Sequence, residues 1–516
     1  MGRISFSVIP PRLRRPPRGI WIALRLLLAV AVLLTCSRSA EAIVVGHVSN
    51  IVPNTTISPT SYPGWTQGDP GWANFSVAGS YVYLGDGWVL SARHVGYNKD
   101  AGITFQTASG PVTYQMAGAR VENNTLVHGP YYLDYGYGGG STHHFAVSNP
   151  ATVRTETGKT LTLTQHTDLQ LFRINGDPGL PPLTIASQPM PSNFVRTNAP
   201  EVVMVGGGAG RAAAQSGWNV IQHSQDDWEW SLATGAGSYQ GYWSDGTAQK
   251  RWGTNRLTDP RANGPGDPSD PNATNYANLF AGVVSDTTGV LKVTTGDGVT
   301  RDVLSLMTVY DQQGQPGTSP APYGVSNLEA QAIPGDSGSA VFYKRGGQWE
   351  LAGIVNVTFN YTDQPFGTAI YGNSTMMSDL WHYNQDYFHS IRNIIETHPD
   401  YSIIGDVNLD GIVSGNGTGP ASSDDVTAFV AGWQYNNGTG QGTITSWKSG
   451  DFTRDGKTDV ADFLRLRSAL NGQVSGATLT ALFGSSVVPE PSAIGLALLA
   501  GASLACLVQR QRRDVL

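Results

Sequence analysis

Short apolar stretches separated by glycine-rich polar segments recur through the middle of the chain. Residues 88–92, 169–174 and 340–343 are three of them, and each is bounded by glycine, aspartate or another polar residue. Apolar runs of this length between turn-forming residues are typical of β-strands that are buried in a sheet. The pattern therefore predicts a mainly β protein.

Two longer apolar segments lie near the ends, and the first has the features of an export signal. Residues 20–34 are apolar apart from Arg25, follow an arginine-rich segment, and precede the Ala-x-Ala tripeptide at 40–42. This order matches a signal peptide and its cleavage site. We expect residues 1–42 to be removed; a retained membrane anchor is the alternative, against which Arg25 and the short run count.

The second segment, residues 493–508, follows Pro489-Glu490-Pro491 and precedes arginines at 510, 512 and 513. It is about long enough to span a bilayer, with the arginines on the cytoplasmic side. The arrangement resembles the PEP-CTERM sorting signal of bacteria, which an exosortase processes in the membrane. The resemblance implies a linker at 476–487 and a sorting and transmembrane segment at 488–516; a plain C-terminal anchor is the alternative. Either way, we expect an exported bacterial protein at the cell surface, in the outer envelope or outside the cell, with a transient or permanent membrane anchor.

Cysteine content and charge exclude several classes of protein. The chain of 516 residues has two cysteines, Cys36 and Cys506, and both lie in the terminal apolar segments. The segment between them can therefore hold neither a disulfide nor a metal–thiolate site. The chain has 32 basic and 39 acidic residues, of which ten basic and three acidic residues lie in the two terminal segments, 1–42 and 489–516. The part between these segments therefore has 22 basic and 36 acidic residues and a net charge of −14. This acidity argues against nucleic acid as a partner.

A serine within residues 333–340 (IPGDSGSA) is a candidate nucleophile. Gly335 and Gly338 permit a tight turn around Ser337, which would expose its hydroxyl. A serine hydroxyl is a weak nucleophile until a base and an orienting carboxylate activate it. Taken alone, such a segment is more often an ordinary turn than a catalytic one.

Candidates for both partners occur upstream. His94 ends the apolar stretch 88–94 (WVLSARH), and Asp168 opens the stretch 168–174 (DLQLFRI). Considered alone, the histidine would be interpreted as a surface or core residue, and the aspartate as a solvated residue. In the order His94, Asp168, Ser337, with these flanking residues, the chain resembles the chymotrypsin-like serine proteases.

The resemblance implies a chymotrypsin-like double β-barrel over residues 43–399 and a serine endopeptidase that needs no cofactor for catalysis and acts on protein or peptide substrates. It implies His94 as the general base, Asp168 as its orienting carboxylate, and the N–H groups of Gly335 and Ser337 as the oxyanion hole. Residues 351–356 resemble the family's substrate-binding strand, so Asn356, Val357 and Thr358 would line the cleft. The specificity position, six residues before the nucleophile, is Gln331, and a neutral side chain there argues against a preference for Arg or Lys.

Three departures from the family pattern remove no catalytic atom but leave room for an inactive relative. Arg93 replaces a small residue, Ser339 replaces a glycine, and the family's flanking disulfides are missing. A catalytically inactive surface-binding protein of the same fold is therefore the alternative function. An esterase-like hydrolase is disfavoured because its triad order would be Ser, Asp, His.

Two segments of the protease-like region each allow two interpretations. Cleavage after Ala42 would expose Ile43-Val44-Val45-Gly46, similar to the family's activated N-terminus, which pairs with the Asp before the nucleophile, here Asp336; an ordinary strand start is the alternative. The region from 206 to 286 exceeds the family's minimal domain and is rich in aromatic residues between 218 and 245. It forms either a substrate-binding rim or a self-packed surface loop.

The composition changes again at Gly405. A calcium-loop pattern starts at Asp406 and is repeated from Asp451 to Asp462, with oxygen-bearing side chains at loop positions 1, 3 and 5 and glycine at position 6. In the second repeat Asp462 stands at position 12, where an EF-hand has Glu. The first repeat contains an insertion at 415–420, so we expect Asp425 to close its site.

The doubled loop–helix unit resembles a dockerin type I module over residues 400–475. The resemblance implies structural Ca²⁺ and a cohesin-like surface partner; solvated turns are the alternative. The implied calcium ligands are Asp406, Asn408, Asp410 and Asp425 in the first repeat and Asp451, Thr453, Asp455, Asp459 and Asp462 in the second.

Overall fold

The computed structural model describes residues 43–46, 57–96, 102–115, 120–122, 125–127, 144–192, 199–261, 279–294, 298–311, 328–396, 398, 403–409, 412–436 and 446–472. The predicted signal peptide, the linker at 476–487, the sorting segment at 488–516 and Asp410 lie outside these residues. Across the ranges given, no helix has the length and apolarity needed to cross a membrane. The described residues are mainly β, which confirms the fold class predicted from the apolar pattern.

The strands, in chain order, are β1 (Val44–Val45), β2 (Val82–Gly85), β3 (Trp88–Ala92), β4 (Ile103–Thr107), β5 (Gly110–Tyr114), β6 (Arg120–Glu122), β7 (Thr125–Val127), β8 (His144–Ser148), β9 (Thr152–Arg154), β10 (Thr160–Thr162), β11 (His166–Arg173), β12 (Glu201–Gly206), β13 (Ala209–Arg211), β14 (Ser216–Ser224), β15 (Asp227–Leu232), β16 (Tyr239–Ala248), β17 (Arg251–Arg256), β18 (Phe280–Val283), β19 (Gly289–Thr294), β20 (Thr300–Val309), β21 (Ala330–Gln331), β22 (Ala340–Arg345), β23 (Gln348–Phe359), β24 (Thr368–Ile370) and β25 (Ser374–Asp379). The α-helices are α1 (Leu380–Tyr383), α2 (Ile391–Glu396), α3 (Asp425–Gly432) and α4 (Val460–Ala469). Short 3₁₀ turns cover Pro59–Ser61, Trp72–Asn74, Arg93–Val95 and Trp447–Ser449.

A four-stranded sheet in the order β2-β3-β11-β8 carries the candidate base and its carboxylate. The β2–β3 hairpin turns at Asp86-Gly87, whose φ angles of 50° and 76° match the two-residue type I′ turn that an Asp-Gly pair favours. In the β3–β11 ladder Ala92 lies opposite Leu169. This register brings the 3₁₀ turn that follows β3 beside the start of β11.

An eight-stranded antiparallel sheet, in the order β17-β12-β22-β23-β25-β20-β19-β18, carries the candidate nucleophile. A bridge between Leu257, just after β17, and Thr308 of β20 joins the first strand of this order to the sixth. The sheet therefore curls into a ring of six strands. Trp252, Leu304 and Phe342 are fully buried in its core.

The aromatic-rich segment folds into its own sheet, in which β13, β14, β15 and β16 are joined by β24. Trp218, Trp228 and Tyr242 are buried, and the Trp230 indole donates to the Thr362 carbonyl at 2.8 Å. Trp228 also stacks on Tyr361, with ring centroids 5.9 Å apart. The segment packs on itself and on the loop after β23, as expected for the self-packed alternative and not for a free substrate-binding rim.

The C-terminal module packs helices α3 and α4 around a small aromatic core. Phe429 stacks on Phe452 at 6.0 Å and lies 6.3 Å from Phe463, and all three rings are buried. Arg454 reaches out of the module and donates to the Glu396 carbonyl at 3.1 Å. The module is therefore packed against the β region and not held by a linker alone.

Candidate active site

Two successive tight turns present Ser337. The Asp336 N–H donates to the Ile333 carbonyl at 3.0 Å, and the Ser339 N–H donates to the Asp336 carbonyl at 2.9 Å. The third residue of each turn is a glycine with positive φ, 107° at Gly335 and 89° at Gly338. A Pro-Gly pair and positive φ at the third position are the marks of a type II turn. Ser337 is the second residue of the second turn, where its side chain projects from the chain reversal.

The second turn is packed against the sheet that carries the base. A Cβ added at Gly338 would overlap the Ser80 carbonyl oxygen and lie 2.6 Å from the Ser91 hydroxyl. The Ser91 hydroxyl in turn donates to the Ser80 carbonyl at 2.6 Å. Glycine at 338 therefore allows the nucleophile turn to lie directly on the β2–β3 hairpin, which brings the two sheets together at this point.

His94 and Asp168 contact each other through two hydrogen bonds. The distance from His94 Nδ1 to Asp168 Oδ2 is 2.6 Å, and the His94 backbone N–H donates to Asp168 Oδ1 at 3.1 Å. Asp168 is fully buried, whereas the imidazole is partly exposed. A buried carboxylate on Nδ1 directs the other ring nitrogen, Nε2, outward as a proton acceptor.

Asn356 lies between Asp168 and Ser337. The β23–β25 ladder pairs Val355 with Met377 and Val357 with Met376, so Asn356 is the extra residue of a β-bulge. Its side-chain Nδ2 donates to Asp168 Oδ2 at 3.1 Å, and its backbone carbonyl accepts from the Ser337 hydroxyl at 3.3 Å. The sequence resemblance assigns Asn356 to substrate binding, whereas its side chain here contacts the aspartate.

A cavity of about 230 Å³ joins the candidate catalytic residues. The candidate base and nucleophile and all three predicted cleft residues line it: His94, Ser337, Asn356, Val357 and Thr358. The rest of the wall consists of Val293, Thr294, Ile333, Pro334 and Val355. Val293 and Thr294 end β19, and no motif in the sequence points to them.

Gln331 does not line this cavity. Its side chain is fully buried, and in the β1–β21 ladder it lies opposite Val44. Among the described residues, neither polar atom of its amide has a hydrogen-bond partner. The structure therefore buries the predicted specificity residue in the β1–β21 pair and not in the cavity lining.

Ile43 and Asp336 meet at Gly206. A Cβ added there would lie 2.5 Å from Asp336 Oδ1 and 2.7 Å from Ile43 Cγ1. Ile43 and Val44 are fully buried, and Asp336 Oδ2 accepts the Ile333 N–H at 3.0 Å. The start of the described chain is thus packed beside the carboxylate that precedes Ser337.

In the C-terminal module the second predicted loop is organised around two buried carboxylates. Asp451 Oδ2 accepts the Gly456 N–H at 2.9 Å, and Asp462 Oδ1 accepts the Thr453 N–H at 2.8 Å. Asp459 caps helix α4, where it accepts the Ala461 N–H at 2.8 Å. Burial raises the pKa of both Asp451 and Asp462, and neighbouring carboxylates add to the effect.

The first loop is closed in a comparable way. Asp425 Oδ1 accepts the N–H groups of Val407 at 2.8 Å and Asn408 at 3.2 Å, so its carboxylate reaches back into the loop that begins at Asp406. Asp424, which the motif does not include, accepts the N–H groups of residues 416–419 in the insertion. Burial raises the pKa of Asp424, but backbone donors, first the Thr427 N–H and then N–H groups of the insertion, outweigh it and lower that pKa below its usual value.

Across the described residues, no group of three or more His, Cys, Asp or Glu side chains is arranged to hold a metal ion. The second loop nevertheless fits a hard cation in its chemistry. Asp451 and Asp462 are fully buried, and buried carboxylates favour a positive partner.

No protein-family model matches the chain, and no curated protein sequence matches it. Among solved structures it is similar to neuropsin, a serine protease expressed in the limbic system of mouse brain, with 11% identity, a TM-score of 0.26, and coverage of 61% of this chain and 94% of neuropsin. It is also similar to the Hap adhesin of Haemophilus influenzae, with 12% identity, a TM-score of 0.24, and coverage of 60% of this chain but 22% of the adhesin. Likeness at this level carries no argument about function, which therefore rests on the geometry of the site.

Proposed function

We propose that residues 43–399 form a chymotrypsin-like double β-barrel that works as a serine endopeptidase. One observation carries the proposal. The His94–Asp168 pair, joined at 2.6 Å, opens onto the same cavity as Ser337, although the three residues come from distant parts of the chain. A base with a buried carboxylate behind it, facing a turn-mounted serine, is the arrangement that nucleophilic catalysis requires.

Peptide hydrolysis then proceeds in two stages. Ser337 Oγ attacks the carbonyl carbon of the scissile bond while His94 Nε2 takes its proton, and Asp168 stabilises the charged imidazole. The C–N bond breaks as His94 returns the proton to the leaving amine, which leaves an acyl group on Ser337. Water then attacks the ester carbonyl while His94 takes its proton; the C–O bond to Ser337 breaks, His94 returns the proton to Ser337 Oγ, and the carboxylic acid product leaves. The N–H groups of Gly335 and Ser337 stabilise the oxyanion, and one such donor is worth about 3–4 kcal/mol of barrier.

The Ser337 hydroxyl has to leave the Asn356 carbonyl before it can donate to His94. Its 3.3 Å contact is long, and rotation about a single bond redirects it. Catalytic hydrogen bonds commonly tighten only when substrate is bound.

Proteolysis of an unfolded protein substrate tests the function. We expect the secreted protein to cleave reduced, denatured casein and Ser337→Ala to leave it intact, with both proteins showing the same circular dichroism. A folded wild type that cleaves neither casein nor a random peptide library would instead favour the alternative, a catalytically inactive surface-binding protein of this fold.

The lining of the cavity predicts a preference for uncharged side chains. Val293, Val355 and Val357 are apolar, and no Asp or Glu side chain of the described residues lines the cavity. Sequencing of the peptides released from the library would show this preference, and frequent cleavage after Lys or Arg would contradict it.

We further propose that removal of residues 1–42 generates the active N-terminus. A new ammonium group at Ile43 would lie near Asp336, which the packing of both residues around Gly206 supports. N-terminal sequencing of the secreted protein should begin at Ile43. A chain that keeps one extra residue before Ile43 should be much less active, and equal activity would refute the proposal.

For residues 400–475 we propose a dockerin-like module that binds structural Ca²⁺ and a cohesin-like partner. Its ligands would be the oxygen atoms of Asp406, Asn408, Asp410, Asp425, Asp451, Thr453, Asp455, Asp459 and Asp462. Calorimetric titration of the full chain with Ca²⁺ should give heat that Asp462→Asn reduces. Equal heat in the variant, or none in the wild type, would count against the site.

We also propose export, sorting by exosortase-type machinery, and membrane attachment through the C-terminal segment 488–516. Deletion of residues 488–516 should release the protein from the envelope fraction into the medium. An unchanged distribution would contradict this part of the proposal.

A further inference from the structure

The amide of Asn356 is held on both sides. Its Nδ2 donates to Asp168 Oδ2 and to the Asp168 backbone carbonyl, each at 3.1 Å. Its Oδ1 accepts the hydroxyl of Ser378 at 2.7 Å. Asp168 Oδ2 is also the atom that contacts His94 Nδ1, so one chain of hydrogen bonds runs from Ser378 to the imidazole.

The orientation of this amide affects the aspartate directly. With Nδ2 facing Asp168, the amide donates to the carboxylate. After a 180° rotation of the amide, Oδ1 would face Asp168 Oδ2 and the Asp168 backbone carbonyl, which are both acceptors. The Ser378 hydroxyl binds Oδ1 on the far side and so favours the donating orientation. Ser378 and Asp168 are fully buried and Asn356 is 2% exposed, so solvent does not readily replace the hydroxyl.

The β-bulge makes this restraint necessary. Asn356 has no residue of its own opposite it in the β23–β25 ladder, because Val355 and Val357 take neighbouring partners. A bulged residue is re-aimed relative to its strand. Ser378, which pairs with Ile354 on the adjacent strand, therefore supplies a side-chain anchor at the point where the regular pairing is interrupted.

We propose that Ser378 is a positioning residue of the catalytic site, which acts through Asn356 to hold Asp168 against His94. The inference rests on the proposed protease function and assigns to that site a buried residue that neither the sequence motifs nor the cavity lining includes. Loss of the Ser378 hydroxyl would loosen the Asn356 amide and, through it, the Asp168 carboxylate and the His94 imidazole, although Ser378 itself does not line the cavity. The chemical step should therefore suffer and the binding of small ligands should not.

Ser305 provides a matched control. It lies directly opposite Ser378 in the β20–β25 ladder and is equally buried, but its hydroxyl donates to the backbone carbonyls of Leu306 and Met377. Ser305→Ala thus removes a buried hydroxyl from the same layer of the sheet without touching Asn356. Ser378→Thr keeps the hydroxyl and is the conservative variant.

Two measurements on the full secreted chain test the proposal. The first is the rate of covalent inactivation by a fluorophosphonate at several concentrations, which separates the limiting rate from the half-saturating concentration. The second is the proton NMR resonance of His94 Nδ1–H, which a short hydrogen bond to Asp168 displaces far downfield of the amide region. The second readout needs no activity.

We expect Ser378→Ala to lower the limiting rate about tenfold or more with the half-saturating concentration unchanged, and to shift or broaden the downfield resonance. Ser378→Thr should recover most of the rate, and Ser305→Ala should match the wild type in both readouts. The proposal is overturned if Ser378→Ala behaves like Ser305→Ala. If the wild type itself reacts with no fluorophosphonate, the protease function fails, and the resonance alone still decides whether Ser378 positions the pair.

Discussion

Lys448 Nζ lies 2.7 Å from Asp86 Oδ1, and this ion pair joins the C-terminal module to the hairpin that leads to His94. Asp86 is almost completely buried, and Lys448 also lies 3.5 Å from Asp177, which accepts the Tyr83 hydroxyl at 2.6 Å. Burial raises the pKa of Asp86, and Lys448 opposes the shift. The module thus supplies an ammonium group that pairs with two carboxylates of the β region, and Arg173 adds positive charge near Asp86.

Replacement of Lys448 by methionine should destabilise the whole chain, because it keeps the aliphatic stem and leaves Asp86 buried without its cation. We expect a loss of about 2 kcal/mol in the free energy of unfolding, below the value for a fully buried pair because Lys448 is about one-third exposed. Urea denaturation measures it. Lys457→Met, on the exposed surface of the same module, should cost almost nothing; equal losses would refute a specific role for the pair.

Gly338→Ala should disrupt the nucleophile turn more than its backbone angle alone explains. An alanine at a φ of 89° costs about 1–2 kcal/mol, and overlap with Ser80 adds about 1–3 kcal/mol. Gly347 has a φ of 90° with no atom within 4 Å of an added Cβ, so Gly347→Ala shows the cost of the angle by itself. Thermal unfolding of both variants, with fluorophosphonate labelling, measures the difference. Equal effects would mean that the close approach at Gly338 is not needed.

Acid should destabilise the fold through His166. Burial, followed by the positive charge of Arg93, lowers the pKa of His166 from 6.5 to about 4. Between these values the unfolded chain binds a proton that the folded chain does not, so stability is complete above pH 6.5 and falls as the pH drops towards 4. Because the imidazole is only partly buried, we expect a loss on the order of 1 kcal/mol.

Urea denaturation at pH 7 and pH 4.5, compared between wild type and His166→Gln, isolates this contribution from the other groups that titrate. The variant should lose less stability on acidification than the wild type. His223→Gln, at an exposed histidine, should leave the acid loss unchanged. A wild-type loss that His166→Gln does not reduce would assign the acid sensitivity to other groups.

The sequence locates the candidate triad because each residue lies in a continuous segment with informative neighbours. His94 follows an apolar strand, Asp168 opens another, and Ser337 stands between two turn glycines; antiparallel pairing of β3 with β11 then brings the first two into contact. The mainly β fold follows from the same short apolar runs.

The rest depends on contacts that no local pattern encodes. A β-bulge turns Asn356 towards Asp168, but β23 is buried on both faces around it, so the sequence has no alternation of apolar and polar residues that a bulge could interrupt. Ser378 lies in a strand of otherwise unremarkable composition, so its contact with Asn356 is visible only in three dimensions. The Lys448–Asp86 pair joins residues at opposite ends of the described chain, and a surface-type lysine in a calcium-loop module gives no sign of it.

The most direct test of the central claim is the identity of the residue that a fluorophosphonate modifies. The folded wild-type protein is incubated with the probe, digested and analysed by mass spectrometry. The account predicts one covalent adduct on Ser337, absent in Ser337→Ala and strongly slowed in His94→Ala. A wild type that carries no adduct, or an adduct that persists in Ser337→Ala, would contradict it.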